Sequence, residues 1–179
     1  MSTAYVHKAD RLLRRILVPC VIDKVDAGTS SNQIVQALWD TGANRTCISE
    51  ALVARLNLMS DGQTEVTVAD SNTRLSNEYC VQITMGKFTL PFIRVCELPM
   101  QNSGHDVIIG MDFMSKGDQS ITNYNGKTVL TFREPSISNI DYVAELEKYN
   151  KMYASRRKCG NELCPCGSGK AWKNCHGKQ

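Results

Sequence analysis

No apolar run in this 179-residue chain approaches the ~18–20 residues that a membrane-spanning helix requires. A secretory leader is missing by pattern as well. Arg11 to Arg15 is basic, but the apolar piece Ile16 to Ile22 is interrupted by Pro19, and Asp23, Lys24 and Asp26 follow without a small-residue cleavage site. A cytoplasmic chain, with no membrane contact, is the expectation. There is no 20–50-residue repeat and no low-complexity segment. A phosphate loop is excluded at Gly167-Ser168-Gly169-Lys170, because Cys164 stands where glycine is needed and Ala171 where Ser or Thr should follow.

What remains is ordinary in bulk. Hydrophobic residues make up 42% and charged residues 22%, and the length suits one domain plus a small module. The net charge of +3 conceals an asymmetry. Residues 1–150 carry 14 Lys and Arg against 17 Asp and Glu, whereas residues 151–179 carry 7 against 1. A basic tail on a mildly acidic body suits an acidic or nucleic-acid partner, or is simply a solvated face. The eight cysteines divide in the same way. Cys20, Cys47, Cys80 and Cys96 are scattered through strand-like segments as small hydrophobes, while Cys159, Cys164, Cys166 and Cys175 crowd the end. In a cytoplasmic chain that crowding favours metal over disulfides.

Taken in order, residues 1–10 read as a fraying start, and Leu12 to Asp23 as a strand whose Pro19 demands an edge or a bulge. Asp26 to Asn32 is a turn by composition. The apolar run Ile34 to Trp39 follows, then a short strand, Thr46 to Ser49, whose Ser49 can cap a helix from Glu50 to Leu56. Asp61-Gly62 reads as loop. Alternation through Val66 and Val68, and again from Leu75 to Ile83, predicts two strands about the turn Asp70-Ser71-Asn72. Another strand spans Phe88 to Val95, and Val107 to Ile109 leads to a short helix, Met111 to Lys116, stopped by Gly117. Asn125-Gly126 predicts a hairpin. After Pro135, Ile140, Val143, Leu146, Tyr149 and Tyr153 recur at helical spacing, with Asp141 near the start. That helix is expected to pack against the body or support a dimer.

The chemistry-bearing stretch is Ala37-Leu38-Trp39-Asp40-Thr41-Gly42-Ala43. An apolar strand ends in a carboxylate, a hydroxyl and a glycine, which places Asp40 on a rigid element beside a tight turn. A bland alternative is an ordinary Asp-Thr-Gly turn after a strand. Ile34 through Ile48, however, resembles the active-site region of the retropepsins, the retroviral-type aspartic proteases. Val107-Ile108-Ile109-Gly110 before a short helix is similar to that family's second signature. The resemblance spans about residues 15–133. It implies a mostly β chain: a retropepsin-like closed β-barrel (acid protease fold) forming a half-site monomer with two short helices, followed by a helix and a small zinc module. The corresponding boundaries are 12–134 for the protease domain, 135–158 for a helical linker and 159–179 for the zinc module.

This chemistry needs two carboxylates sharing one proton, one acting as base toward water and the other as acid toward the forming oxyanion. Only one Asp-Thr-Gly is present, and Asp70, Asp106, Asp112 and Asp118 lie in other contexts. By resemblance, Asp40 is the catalytic acid and the second comes from Asp40 of another copy, so a homodimer acting on a peptide or protein substrate is implied. Thr41 would hydrogen-bond across the two-fold axis. Gly42, Ala43, Ile109 and Gly110 would support the site, and Ala69, Asp70, Ser71 and Asn72 would form the flap over the substrate. The flap tip departs from the family by being polar and poor in glycine. Asp112 has a plainer reading as a helix-capping acid.

In the tail, Cys164-Pro165-Cys166 and Cys175-His176 flank a Gly-Ser-Gly turn. Three thiols and an imidazole suit one structural, tetrahedral Zn²⁺ with no open position. The arrangement resembles the SEC-C motif, a small zinc module found at the C-terminus of the preprotein translocase motor and on other bacterial proteins. Cys159 lies outside the pattern. The resemblance implies a protein or ribosome partner, with Lys170, Lys173 and Lys178 as a docking surface; ordinary solubilising lysines are the alternative. Two further alternatives to a protease stay open: a retropepsin-like dimer that binds extended peptides without cutting them, and an adaptor acting through the tail.

Overall fold

Period-two alternation dominates the first two-thirds of the chain, and strands form there. The computed structural model describes residues 3–25, 33–67, 73–156, 160–164 and 166–177. The chain divides into two compact units, Met1–Ser138 and Asn139–Gln179. In the first, β1 (Thr3–Lys8), β2 (Leu17–Lys24), β3 (Ile34–Trp39) and β4 (Cys47–Ser49) precede α1 (Glu50–Leu56). Then come β5 (Gly62–Thr67), β6 (Thr73–Met85), β7 (Phe88–Leu98), β8 (Val107–Ile109), α2 (Met111–Met114), β9 (Asp118–Thr122) and β10 (Val129–Glu134).

The closed barrel is present. Strands run in the order β2-β3-β8-β4-β7-β6, and β6 pairs back onto β2, which closes the ring; β5 extends it beyond β6. The β3–β8 and β4–β7 pairs are parallel and the other pairs antiparallel. The alternation in β6 fits this closure, with Tyr79, Val81, Ile83 and Met85 buried and the residues between them half-buried. Pro19 also sits where its lack of an N–H costs nothing on the second side: β6 joins β2 only from Val21 onward.

The core under β3 is aromatic. Trp39 meets Phe113 edge-on at 5.7 Å and Phe132 at 5.6 Å, and Phe88 completes the group 5.5 Å from Phe132. The Trp39 indole N–H donates to Gln119 Oε1 at 2.8 Å, satisfying its one polar atom. Gly117 stands at a close approach rather than at a left-handed helix cap: α2 already ends at Met114, and a Cβ on Gly117 would lie 1.9 Å from the Arg133 carbonyl oxygen.

The start of the chain differs from expectation. Residues 3–8 do not fray but form β1, the outer strand of a separate three-stranded sheet, β1-β10-β9, with Tyr5 opposite Phe132. The partner strand lies more than a hundred residues away, so no local pattern announces the ladder. The Leu12–Asp23 strand begins only at Leu17. Before it, Leu13 N–H donates to the Thr128 hydroxyl at 2.9 Å and Thr128 N–H to the Arg11 carbonyl. Gly62 opens β5 rather than lying in a loop. Ser49 caps α1 as expected, its hydroxyl accepting from Leu52 N–H at 3.1 Å. The Asn125-Gly126 hairpin forms, both residues at positive φ, within a connection longer than the shortest two-residue loop. The 26–32 turn and Val68 lie outside the described residues.

In the second unit, α3 (Tyr142–Arg156) starts as the sequence suggested, Asp141 Oδ1 accepting from Val143 N–H at 2.9 Å and Ala144 N–H at 3.0 Å. Ile140, Val143 and Leu146 on its apolar stripe are exposed. Truncating the aromatic cluster should be expensive. Phe113→Ala, which removes a fully buried ring, is expected to lower unfolding free energy by ~3–5 kcal/mol, read as a lower midpoint in urea denaturation.

Candidate active site and metal centre

Asp40 follows β3 directly, so the barrel delivers its position. Trp39 and Ile109 are register partners in the parallel β3–β8 pair, and Asp40 N–H donates to the Ile109 carbonyl at 3.0 Å. The turn then closes on itself. Gly42 N–H donates to Asp40 Oδ1 at 2.9 Å and Ala43 N–H to the Asp40 carbonyl at 3.2 Å. Asp40 is half-buried, Thr41 and Gly42 are exposed, and Ala43 is half-buried.

The second signature crosses this loop. Met111 N–H donates to the Ala43 carbonyl at 2.8 Å and Asp112 N–H to the Asn44 carbonyl at 3.1 Å. Gly110 is buried against the backbone of Arg45: a Cβ there would stand 2.5 Å from the Arg45 carbonyl carbon and 2.9 Å from Thr46 N. Only glycine allows two backbones so close. Asp40, Thr41, Gly42, Ala43, Ile109 and Gly110, separated by some seventy positions, are thereby brought together.

Two residues important to this junction were not legible as such. Asp112 does accept from the neighbouring Phe113 N–H at 2.8 Å, as a capping acid would. Its larger role is a clasp: it accepts from Thr46 N–H at 2.9 Å and from the Thr46 hydroxyl at 2.7 Å, and that hydroxyl accepts from Gly110 N–H at 3.1 Å. Thr46 is fully buried. Arg45 reaches the other way, ion-pairing with Glu78 on β6 and donating to Thr64 Oγ1 on β5 at 3.1 Å. The acid loop is thus tied to the stem of the β5–β6 hairpin. No sequence spacing signals these contacts.

Asp40 opens onto a cavity of about 750 Å³. The acid loop contributes Gly42, Ala43, Arg45 and Cys47, the hairpin stem Glu65, Val66, Thr67 and Arg74, and the loop after β7 Leu98, Met100 and His105, with Ile108 beside them. Val66, Leu98, Met100 and Ile108 give it apolar surface, and Arg45, Glu65 and Arg74 charged surface. The predicted flap residues Ala69, Asp70, Ser71 and Asn72 lie outside the described residues.

The tail gathers its four predicted ligands. Cys164, Cys166, Cys175 and His176 present donor atoms all within 4.8 Å of one another. Cys164 Sγ lies 3.2 Å from His176 Nδ1, Cys175 Sγ 3.3 Å from the same nitrogen, and Cys166 Sγ 3.6 Å from Cys175 Sγ. Ligand bonds of ~2.0–2.3 Å in a tetrahedron place donor atoms about 3.5–3.8 Å apart, so the cluster is compatible with a single metal ion. Burial raises the Cys164 thiol, but hydrogen bonds from Cys166, His176 and Cys175 outweigh it and bring the thiol to about 7, within reach of the thiolate a metal requires. Trp172 stacks on His176 with centroids 6.2 Å apart, holding the ring in place. Cys159 lies outside the described residues.

A barrel whose Asp-Thr-Gly turn is crossed by a glycine loop belongs to the aspartic-protease class. The model of the family described as "gag-polyprotein putative aspartyl protease" matches residues 27–116, half of the chain, and the chain belongs to that family. The SEC-C motif matches residues 161–178. Among curated proteins, protein translocase subunit SecA of Rickettsia prowazekii is 39% identical over 64 residues, 35% of this chain and 7% of that protein. SecA of Beijerinckia indica is 41% identical over 59 residues, 33% of this chain and 6% of that protein. The likeness thus spans under a tenth of those relatives' length. Two solved structures are similar. A retropepsin-like aspartic protease from Rickettsia conorii has 10% identity and a TM-score of 0.47, covering 74% of this chain and 95% of that one. The retroviral protease-like domain of Ddi1 from Leishmania major has 18% identity and a TM-score of 0.43, covering 71% and 96%.

The clasp yields a specific expectation. Thr46→Val orphans Gly110 N–H and deprives Asp112 of a donor, and should cost ~1–3 kcal/mol of stability in chemical denaturation. Thr46→Ser, which keeps the hydroxyl, should retain most of it.

Proposed function

We propose that the chain is an aspartic endopeptidase that acts as a homodimer, one Asp40 coming from each subunit. The observation that carries this reading is the placement of Asp40: a strand-end carboxylate at the cleft, held by the Ile109 strand and by its own turn. One chain supplies one such motif, so a second copy completes the pair on a two-fold axis. In that pair the ionised Asp40 takes a proton from water, the water attacks the peptide carbonyl, and the protonated Asp40 donates to the oxyanion. Thr41, exposed at the turn, would hydrogen-bond across the axis, and Gly42 N–H orients the carboxylate. The paired strands β5 and β6 serve as the flap. An extended peptide would lie along the apolar surface formed by Val66, Leu98 and Ile108.

We infer further that the tail cluster holds zinc, on the donor set of three thiols and one imidazole. Cys164, Cys166, Cys175 and His176 would occupy all four positions, so the ion's contribution is structural closure of the tail. The tail then serves docking or substrate recruitment, with a protein or ribosome as partner, in a cytoplasmic setting. Support comes from the SEC-C match and the likeness to SecA.

Asp40→Asn should lower cleavage of an unfolded protein substrate by ~10²–10⁴-fold or more, with the dimer retained in analytical ultracentrifugation. Unchanged cleavage in that variant sinks the assignment. Peptide affinity without any wild-type turnover points instead to the peptide-binding alternative. For the tail, native mass spectrometry is expected to show one zinc per chain. Chelation, or Cys175→Ala, should remove it and unfold the tail while the barrel keeps its thermal transition; a barrel that melts with the metal would contradict this division.

A further inference from the structure

Two thiols meet beside the cleft, one lining it and one buried behind it. Cys47 on β4 and Cys96 on β7 are register partners in a parallel pair, joined by the Cys96 N–H to Thr46 carbonyl bond of 3.1 Å. Register partners project to the same face, and neighbouring strands lie about 4.8 Å apart, inside the roughly 4.4–6.8 Å Cα separation that a disulfide spans. Both are buried in one small cluster with Val66. Cys47 lines the cleft, whereas Cys96 is fully buried.

The pair is electrostatically uneven. A hydrogen bond from Cys47 lowers the Cys96 thiol, burial opposes this, and the nearby Arg45 guanidinium lowers it further; the same hydrogen bond, with burial, raises Cys47. A thiol lowered by a neighbouring thiol and a guanidinium, beside a partner raised by the same bond, makes an uneven dithiol and not two inert hydrophobes. Cys20, by contrast, is pushed up to about 12 by burial in the main core.

We propose that Cys47 and Cys96 form a reversible disulfide, making this wall of the cleft a site of oxidation by small hydroperoxides. Cys47 passes its proton to the Cys96 thiolate and its sulfur attacks the distal peroxide oxygen. The O–O bond breaks, and the departing alkoxide or hydroxide takes the proton back from Cys96. The Cys96 thiolate then attacks the Cys47 sulfenic sulfur; the S–S bond forms, the S–O bond breaks and hydroxide leaves. Two electrons pass from the sulfurs to the peroxide, and a small thiol reverses the change.

Oxidation has a local consequence. The reduced Cys47 thiol has an alternative acceptor in the Arg45 carbonyl oxygen, 3.5 Å away, the same carbonyl against which Gly110 packs. A disulfide removes that donor and draws the Cys47 side chain toward β7, changing both the cleft wall and the support of the acid loop. This second effect rests on the proposed peptidase reading, and predicts slower cleavage in the oxidised state.

The test is peptide mapping of the full-length protein after hydrogen peroxide, with alkylation under denaturing conditions. A reducible cross-link between the Cys47 and Cys96 peptides, with Cys20 recovered as a free thiol, is the expected result. Recovery of Cys47 and Cys96 as alkylated thiols, or a cross-link from either to another cysteine, overturns the proposal. Cys96→Val should abolish the cross-link while leaving the barrel folded and cleavage in reductant unchanged. Oxidised wild type should cleave peptide several-fold more slowly and recover with reductant, a response absent from Cys96→Val. Because the cross-link is read by mass, a protein that cleaves nothing in either state fails the peptidase reading without touching the disulfide.

Discussion

The barrel and its acid depend on one crossing, where Gly110 passes over the Arg45–Thr46 backbone with no room for a side chain. A crossing of this kind buries peptide groups from two loops at once, and each must find a partner or cost free energy. The partners are nearly all backbone or short side chains: Asp40 with Ile109, Met111 with Ala43, Asp112 with Asn44, and the Thr46 hydroxyl between Gly110 and Asp112. None of these groups is long enough to move far. The backbone at Asp40 is therefore set by a dense short-range network, and Gly42 N–H holds its carboxylate.

That network needs a rigid base, and the residue before the acid provides it. Trp39 is wedged between Phe113 of α2 and Phe132 of β10 and pinned by Gln119 of β9. The same aromatic group thus anchors the end of β3, the helix that follows Gly110, and the small sheet that includes β1. A shift in any of these elements is transmitted to the acid loop through packed rings. At the far end of that sheet Asp118 does similar work: its carboxylate accepts from the Ser136 hydroxyl and from Ile137 and Ser138 N–H, and pairs with Arg133, all of which hold its pKa well below the ordinary carboxylate range. The chain's exit from the barrel is fastened by that one side chain.

Much of this was legible in the sequence because it is local or periodic. The burial of alternate residues in β6, the Ser49 cap, the strand ending at Asp40 and the tail's four donors are properties of short windows, and they appear where those windows place them. What was not legible is non-local. β1 carries no strong pattern, since most of its residues are exposed or half-buried, and it exists because β10 offers a ladder. Asp112 looks like a cap because a cap is all that a short window can show; its bonds to Thr46 join positions sixty-six residues apart. Arg45 and Glu78 are thirty-three residues apart. The acid itself could be picked out, but the scaffold that holds it could not.

The two units differ in what holds them. The barrel buries a continuous cluster from Val18 to Phe132 and needs nothing added to close its core. The tail beyond α3 buries almost nothing: among its described residues Cys164 alone is fully enclosed, and its turns at Gly167 and Gly169 are stabilised by a handful of backbone bonds such as Cys164 N–H to the Lys170 carbonyl. A segment this short cannot offset its conformational entropy by hydrophobic burial. What gathers this segment is the cluster of Cys164, Cys166, Cys175 and His176, whereas apolar packing closes the barrel.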